Sequence, residues 1–78
     1  MRVLLFAGLA EALGCRELEW PSPSLPTTVG QLEAVLRARE PRLAEAHFRI
    51  AVNRSYASAE DGLQPDDEVA LIPPVSGG

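Results

Sequence analysis

Two apolar runs that do not alternate, Val3-Leu4-Leu5-Phe6 and Val69-Ala70-Leu71-Ile72, lie at opposite ends of the chain and constrain its fold more than any other feature. A strand with one wet face alternates apolar and polar residues, so an unbroken apolar run reads as a strand covered on both faces. Arg2 to Ala7 is therefore expected to form the first strand and Glu68 to Ile72 the last. Lying side by side in the centre of one sheet, they would run parallel, with the whole intervening segment as the crossover. Patterning allows that arrangement but does not establish it.

The intervening segment is punctuated by proline and glycine. Gly8 to Leu13 reads as a short helix ended by Gly14, and Arg16 to Trp20 as a brief strand. Pro21, Pro23 and Pro26 make the next stretch a loop. Thr28 and Gln31 stand at capping-box spacing, with Val29, Leu32, Val35 and Leu36 following at helical period. This is the main helix, and it ends before Pro41. Arg42 to Phe48 is expected to add a helical turn. Arg49 to Val52 and Tyr56 to Ala57 would form a hairpin around Asn53-Arg54-Ser55, and Leu63 to Asp67 a turn at Pro65. The fold class expected is α+β, a mixed sheet wrapped around one main helix. A chain of 78 residues holds one core, so one domain is expected over 1–72 with a flexible tail over 73–78.

Composition excludes several function classes. With 46% hydrophobic and 23% charged residues the chain should fold rather than stay disordered. Its net charge of -4 and its singly scattered arginines give no stripe to neutralise phosphates, so nucleic acid is not an expected partner. Cys15 stands alone, which excludes an internal disulfide framework and a cysteine-built zinc site and is compatible with a reducing cytosol. Met1-Arg2, the run to Ala10 and Cys15 faintly resemble a lipoprotein signal. Glu11 interrupts that pattern, and cleavage would remove the best strand. No stretch is long enough to span a bilayer, so the expected location is cytoplasmic with no membrane partner.

Catalytic chemistry is poorly supplied, with one histidine, one cysteine and no lysine. His47, beside Phe48, reads as a packed or solvent-facing residue, and Cys15 as a small apolar filler. Asp66-Asp67-Glu68 reads as a solvated turn, so no metal site is expected. The chain is not expected to be an enzyme by itself. The end of the sequence is different, because Pro73-Pro74-Val75-Ser76-Gly77-Gly78 follows the last strand directly. Two prolines stop the strand and stiffen the spacer, and two glycines without Cβ can thread a narrow channel. Six extended residues reach about 20 Å, enough to carry the Gly78 carboxylate into another protein's active site.

These residues resemble the MoaD/ThiS family of β-grasp, ubiquitin-like sulfur carriers, on the side of it that serves molybdopterin synthase. The resemblance spans essentially the whole chain. It rests on Val3-Leu4-Leu5-Phe6-Ala7 with Leu13-Gly14, on Ala51-Val52-Asn53, on Leu63-Gln64-Pro65-Asp66-Asp67-Glu68-Val69-Ala70, and above all on Pro73 to Gly78. It implies that an ATP-dependent, E1-like adenylating enzyme activates the Gly78 carboxylate, and that a sulfurtransferase or cysteine desulfurase supplies sulfur to leave a thiocarboxylate. It further implies that Pro73, Pro74, Val75, Ser76 and Gly77 insert into the large subunit of molybdopterin synthase, where sulfur passes to a cyclic pyranopterin precursor. No cofactor is expected to be bound stably, ATP being used by the activating enzyme. A carrier for thiamine, cysteine or another thiolation pathway, and a ubiquitin-like modifier or binding module, stay open as alternatives.

Parity adds an expectation about partners. One helix covers one face of the sheet, and Phe6 and Ile72 have the parity opposite to Leu5 and Leu71. With Leu5 and Leu71 on the helix, Phe6, Ile72 and Tyr56 form an exposed apolar patch, the expected partner interface. The absence of lysine fits a chain that avoids amines able to capture its own activated acyl group.

Overall fold

The first apolar run forms β1 (Arg2–Leu5) and the last forms β7 (Glu68–Ile72), and the two pair in parallel from Arg2 opposite Glu68 to Leu5 opposite Leu71. They are described in a computed structural model over residues 1–20 and 27–74. The loop expected at Pro21, Pro23 and Pro26 and the tail residues Val75, Ser76, Gly77 and Gly78 lie outside the described residues.

Short elements fill the space between. They are α1 (Ala7–Leu13), β2 (Glu17–Glu19), β3 (Thr27–Thr28), α2 (Val29–Arg39), a 3-10 turn (Pro41–Leu43), β4 (Arg49–Val52), β5 (Ser55–Tyr56) and β6 (Gly62–Leu63). Five strands form one sheet in the order β2-β1-β7-β4-β5, in which only the β1–β7 pair is parallel. A second sheet of two strands pairs β3 with β6. The architecture is therefore the expected α+β mixed sheet around one main helix, of β-grasp type. Among the described residues no helix is long and apolar enough to cross a membrane.

Local chemistry sets the element boundaries. β1 ends earlier than expected, at Leu5, because Ala7 takes a left-handed φ of 48° and turns the chain into α1 with Phe6 as its N-cap. Gly14 ends α1 at φ 74°, a conformation that glycine adopts without Cβ strain, and its N–H returns to the Ala10 carbonyl at 2.9 Å. The expected capping box opens α2. Thr28 Oγ1 accepts from the Gln31 N–H at 3.2 Å, and Gln31 Oε1 accepts from the Thr28 N–H at 2.9 Å. Val29, Leu32 and Leu36 on α2 are buried, whereas Val35 at the rim of that face is exposed.

The helical turn expected over Arg42 to Phe48 is shorter in the structure, a 3-10 turn at Pro41–Leu43 followed by irregular chain. Arg37 is the reason that this stretch can stay irregular. Its Nη1 donates to the carbonyls of Leu43 at 2.7 Å and Ala46 at 2.8 Å, its Nε to Glu33 at 3.0 Å, and its guanidinium lies 4.3 Å from the Phe48 ring centroid. Carbonyls that no helix satisfies are thus satisfied by one side chain. At the start of the turn, hydrogen bonding to the Arg42 guanidinium and N–H holds the Glu40 carboxyl below the usual carboxylate range.

The core lies between α2 and one face of the sheet. Val3, Leu36, Leu43, Val69 and Leu71 are its most completely buried side chains, with Leu9 and Leu13 of α1 closing one end. Half-buried Cys15 packs against it, as an apolar filler would.

Thr28→Ala removes one partner from the capping box and should cost about 1 kcal/mol, read as a lower urea midpoint at unchanged slope. Leu71→Ala, by opening a cavity in the core, should cost roughly 2 to 5 kcal/mol.

Candidate functional site

Alternation along β1 and β7 gives the sheet two unlike faces. Val3, Leu5, Val69 and Leu71 point into the core, so Leu4, Ala70 and Ile72 point the other way, where the structure describes no covering element. The reading of β1 and β7 as strands covered on both faces is therefore corrected. Their apolar runs are continuous because one side faces the core and the other an open apolar patch.

That patch is a shallow depression of about 550 Å³. Leu4, Phe6, Ala51, Tyr56, Ala70 and Ile72 form its apolar floor and walls, and Arg54 and Glu68 stand at its margin. Phe6 is 47% exposed and Tyr56 57%, the most exposed large apolar side chains here along with Val35. The structure thus brings together Phe6 and Ile72, singled out by parity, and Tyr56, which was expected to join them. Leu4, Ala51 and Ala70 had not been singled out, although the same parity would have found Leu4 and Ala70.

Local geometry fixes how the patch is presented. Because β1 and β7 are parallel, Phe6 comes level with Ile72, one step beyond the Leu5–Leu71 pair. The left-handed Ala7 then carries the chain away, leaving Phe6 at the rim. On the other flank, Asn53 and Arg54 both have positive φ, 51° and 72°, the pattern of a tight hairpin turn that matches strand twist. The turn is tied to β7. Asn53 Nδ2 donates to Asp67 Oδ1 at 3.0 Å, Asn53 Oδ1 accepts from the Glu68 N–H at 3.0 Å, and Asp67 Oδ2 accepts from the Gln64 N–H at 2.8 Å. Asp67 is therefore a turn staple, and no cluster able to hold a metal ion is found among the described residues.

Charge is distributed unevenly around the patch. Arg49, paired with Ile72 across the β4–β7 ladder, lays its guanidinium 4.0 Å from the Tyr56 ring centroid. On the β2 side, Arg2 donates to Glu17 at 2.9 Å, and that hydrogen bond pushes the guanidinium pKa up. His47 is exposed, and neither it nor Cys15 lines the depression. What this site supplies is a surface for contact beside the point where the last strand ends. Ile72 closes β7, Pro73 is half-buried and Pro74 is exposed at the same end as Phe6.

Comparison with known proteins agrees with this geometry. The ThiS family model matches residues 3–78. The chain is 39% identical over 85 residues to the molybdopterin synthase sulfur carrier subunit of Homo sapiens, covering all of this chain and 93% of the relative. It is 36% identical over 80 residues to the protein of the same name in Arabidopsis thaliana, covering all of this chain and 82% of the relative. Among solved structures, small archaeal modifier protein 1 of Haloferax volcanii superposes with a TM-score of 0.79 at 28% identity, over 95% of each chain.

Asn53→Ala should destabilise the protein by about 2 kcal/mol, since it removes two hydrogen bonds and a residue type that tolerates positive φ. Asn53→Gly should cost less by chemical denaturation, because glycine restores the backbone freedom without restoring the bonds.

Proposed function

This chain belongs to the ThiS family, and on that premise we propose that it is the sulfur carrier of a molybdopterin synthase, with the Gly78 carboxylate as its working group. The observation that carries this reading is the full-length likeness to relatives named as molybdopterin synthase sulfur carrier subunits. It is supported by the position of Pro73 and Pro74, which lead from the sheet beside an open apolar face.

The chemistry runs through the partners. A carboxylate is a poor electrophile, so an E1-like enzyme joins it to the AMP moiety of ATP with loss of pyrophosphate. A sulfur nucleophile delivered by a sulfurtransferase or cysteine desulfurase then attacks the carbonyl carbon. The acyl C–O bond breaks and AMP leaves with the electron pair; attack by the enzyme's persulfide gives an acyl disulfide, and a thiol reductant then cleaves its S–S bond, leaving Gly78 as a thiocarboxylate and freeing the enzyme's thiol. That group is the nucleophile which passes sulfur to a cyclic pyranopterin precursor in the large synthase subunit. Pro73, Pro74, Val75, Ser76 and Gly77 act as the spacer, with about 20 Å of reach, and Phe6, Tyr56 and Ile72 dock against the partner. The carrier contributes a reacting terminus and a surface, and the partners contribute catalysis, including the ATP.

A second reading is favoured by the likeness to the small archaeal modifier protein, in which the activated Gly78 is joined to an amine of another protein. The two readings share the activation step and diverge at the acceptor.

Intact mass after incubation with ATP, a sulfide source and an adenylating enzyme should rise by the exchange of one oxygen for sulfur, mapped to Gly78. An amide-linked conjugate in place of that change would favour the modifier, and no ATP-dependent change with any adenylating enzyme would remove both. Phe6→Asp should leave the unfolding midpoint nearly unchanged and weaken binding to the large synthase subunit by tenfold or more, on the order expected for a central interface aromatic. Retained affinity would exclude Phe6 from the interface.

A further inference from the structure

The outer face of the sheet is apolar at its centre but not neutral at its edge. The chain carries a net charge of -4, and among the described residues three of its seven arginines are held by carboxylates of the same chain. Arg2 holds Glu17, Arg37 holds Glu33 and Arg42 holds Glu40. Arg49 and Arg54 differ. Among the described residues neither has a carboxylate within 4.0 Å, and both stand on the β4–β5 flank of the depression. Arg16 and Arg39 have no carboxylate of the described residues within that distance either, but Arg39 lies on α2 and Arg16 just before β2, so Arg49 and Arg54 are the two such cations on the β4–β5 flank of the open apolar patch.

Their geometry suits recognition. The Arg49 guanidinium carbon lies 4.0 Å from the Tyr56 ring centroid, a cation–π contact that restrains the side chain. A guanidinium so held loses little rotamer freedom on engaging a carboxylate in a bidentate pair. Arg54 sits on a turn whose position is fixed by the Asn53–Asp67 and Asn53–Glu68 hydrogen bonds, so it too is presented from a defined backbone.

We infer that Arg49 and Arg54 are a carboxylate-binding flank of the docking face, and that the protein seated there is apolar opposite Phe6 and Ile72 and acidic opposite β4–β5. The identity of that partner rests on the carrier reading above; the charge complement rests on the two arginines. Arg49 lies opposite Ile72, the last residue before the Pro73 spacer, so a partner held by this flank is oriented about the base of the tail. The charges fix the orientation, and the apolar centre supplies the contact area.

The test uses the full chain with the purified large synthase subunit and the adenylating enzyme of the same genome as probes. The dissociation constant is measured at low and high salt for the wild type, for Arg49→Glu/Arg54→Glu, and for Arg39→Glu on α2, which packs on the opposite face. The double reversal should raise Kd about tenfold at low salt and flatten its salt dependence, while Arg39→Glu should stay within about twofold of wild type. Should the double variant unfold, Arg54→Gln on the exposed turn gives the same readout by losing part of the salt slope. A double variant that binds both probes with wild-type affinity and slope would overturn the inference. So would a wild-type dimer in sedimentation that Phe6→Asp dissociates, because the face would then belong to a second copy. The mass change at Gly78 is scored separately. Its presence with an unchanged salt slope rejects this inference alone, and its absence alongside a salt-dependent complex rejects the carrier reading alone.

Discussion

The parallel pairing of β1 with β7 is the contact on which the rest depends. It joins segments more than sixty residues apart and places them in the middle of the five-stranded sheet, so every other element is hung on their two edges or on one of their faces. A pair this distant in sequence carries a large loop-closure cost, which is recovered only when Val3, Leu5, Val69 and Leu71 are buried together under α2. The same pairing settles where the sheet is open. With a single main helix on one side, the opposite parity of both central strands is left facing outward.

That outward parity connects the fold to the proposed chemistry. Since β1 and β7 run the same way, Phe6 and Ile72 arrive level at one end of the sheet, and Pro73 continues from there. The apolar depression and the start of the Pro73 segment, proposed above as docking surface and spacer, are therefore neighbours by construction. On the proposed function, that closeness would let one partner hold the domain while receiving the terminus.

Much of the fold was legible because its signals are local. The Thr28–Gln31 capping box, the Gly14 stop and the Asn53 hairpin each depend on residues within one turn of one another; the first two appear where the spacing put them, and the hairpin turn is one residue tighter than expected, with Ser55 pairing Val52 in β5 instead of lying in the turn. Other features escaped because they have no local signal. β3 and β6 are two residues long, too short for any period, and exist because Thr27 and Thr28 find Gly62 and Leu63 across the fold. The irregular stretch after Leu43 carried an apparently helical composition, yet Arg37 bonds its carbonyls from a different element. In the candidate site, parity placed Phe6 and Ile72 on the open face, with Tyr56 beside them. Nothing in the sequence joined Arg49 to Tyr56, because they lie on different strands of a hairpin and meet only through its register.

By itself, the sequence determined the two apolar end strands, their parity and the main helix, together with a Gly-Gly ending. Those properties follow from side-chain chemistry at short separation, which a linear reading contains. Only the tertiary structure decided that the two apolar runs lie side by side, that one face of each is left uncovered, and that two arginines without carboxylate partners flank it. Such facts arise from contacts between distant residues, where burial and pairing geometry choose among arrangements that the local pattern equally permits.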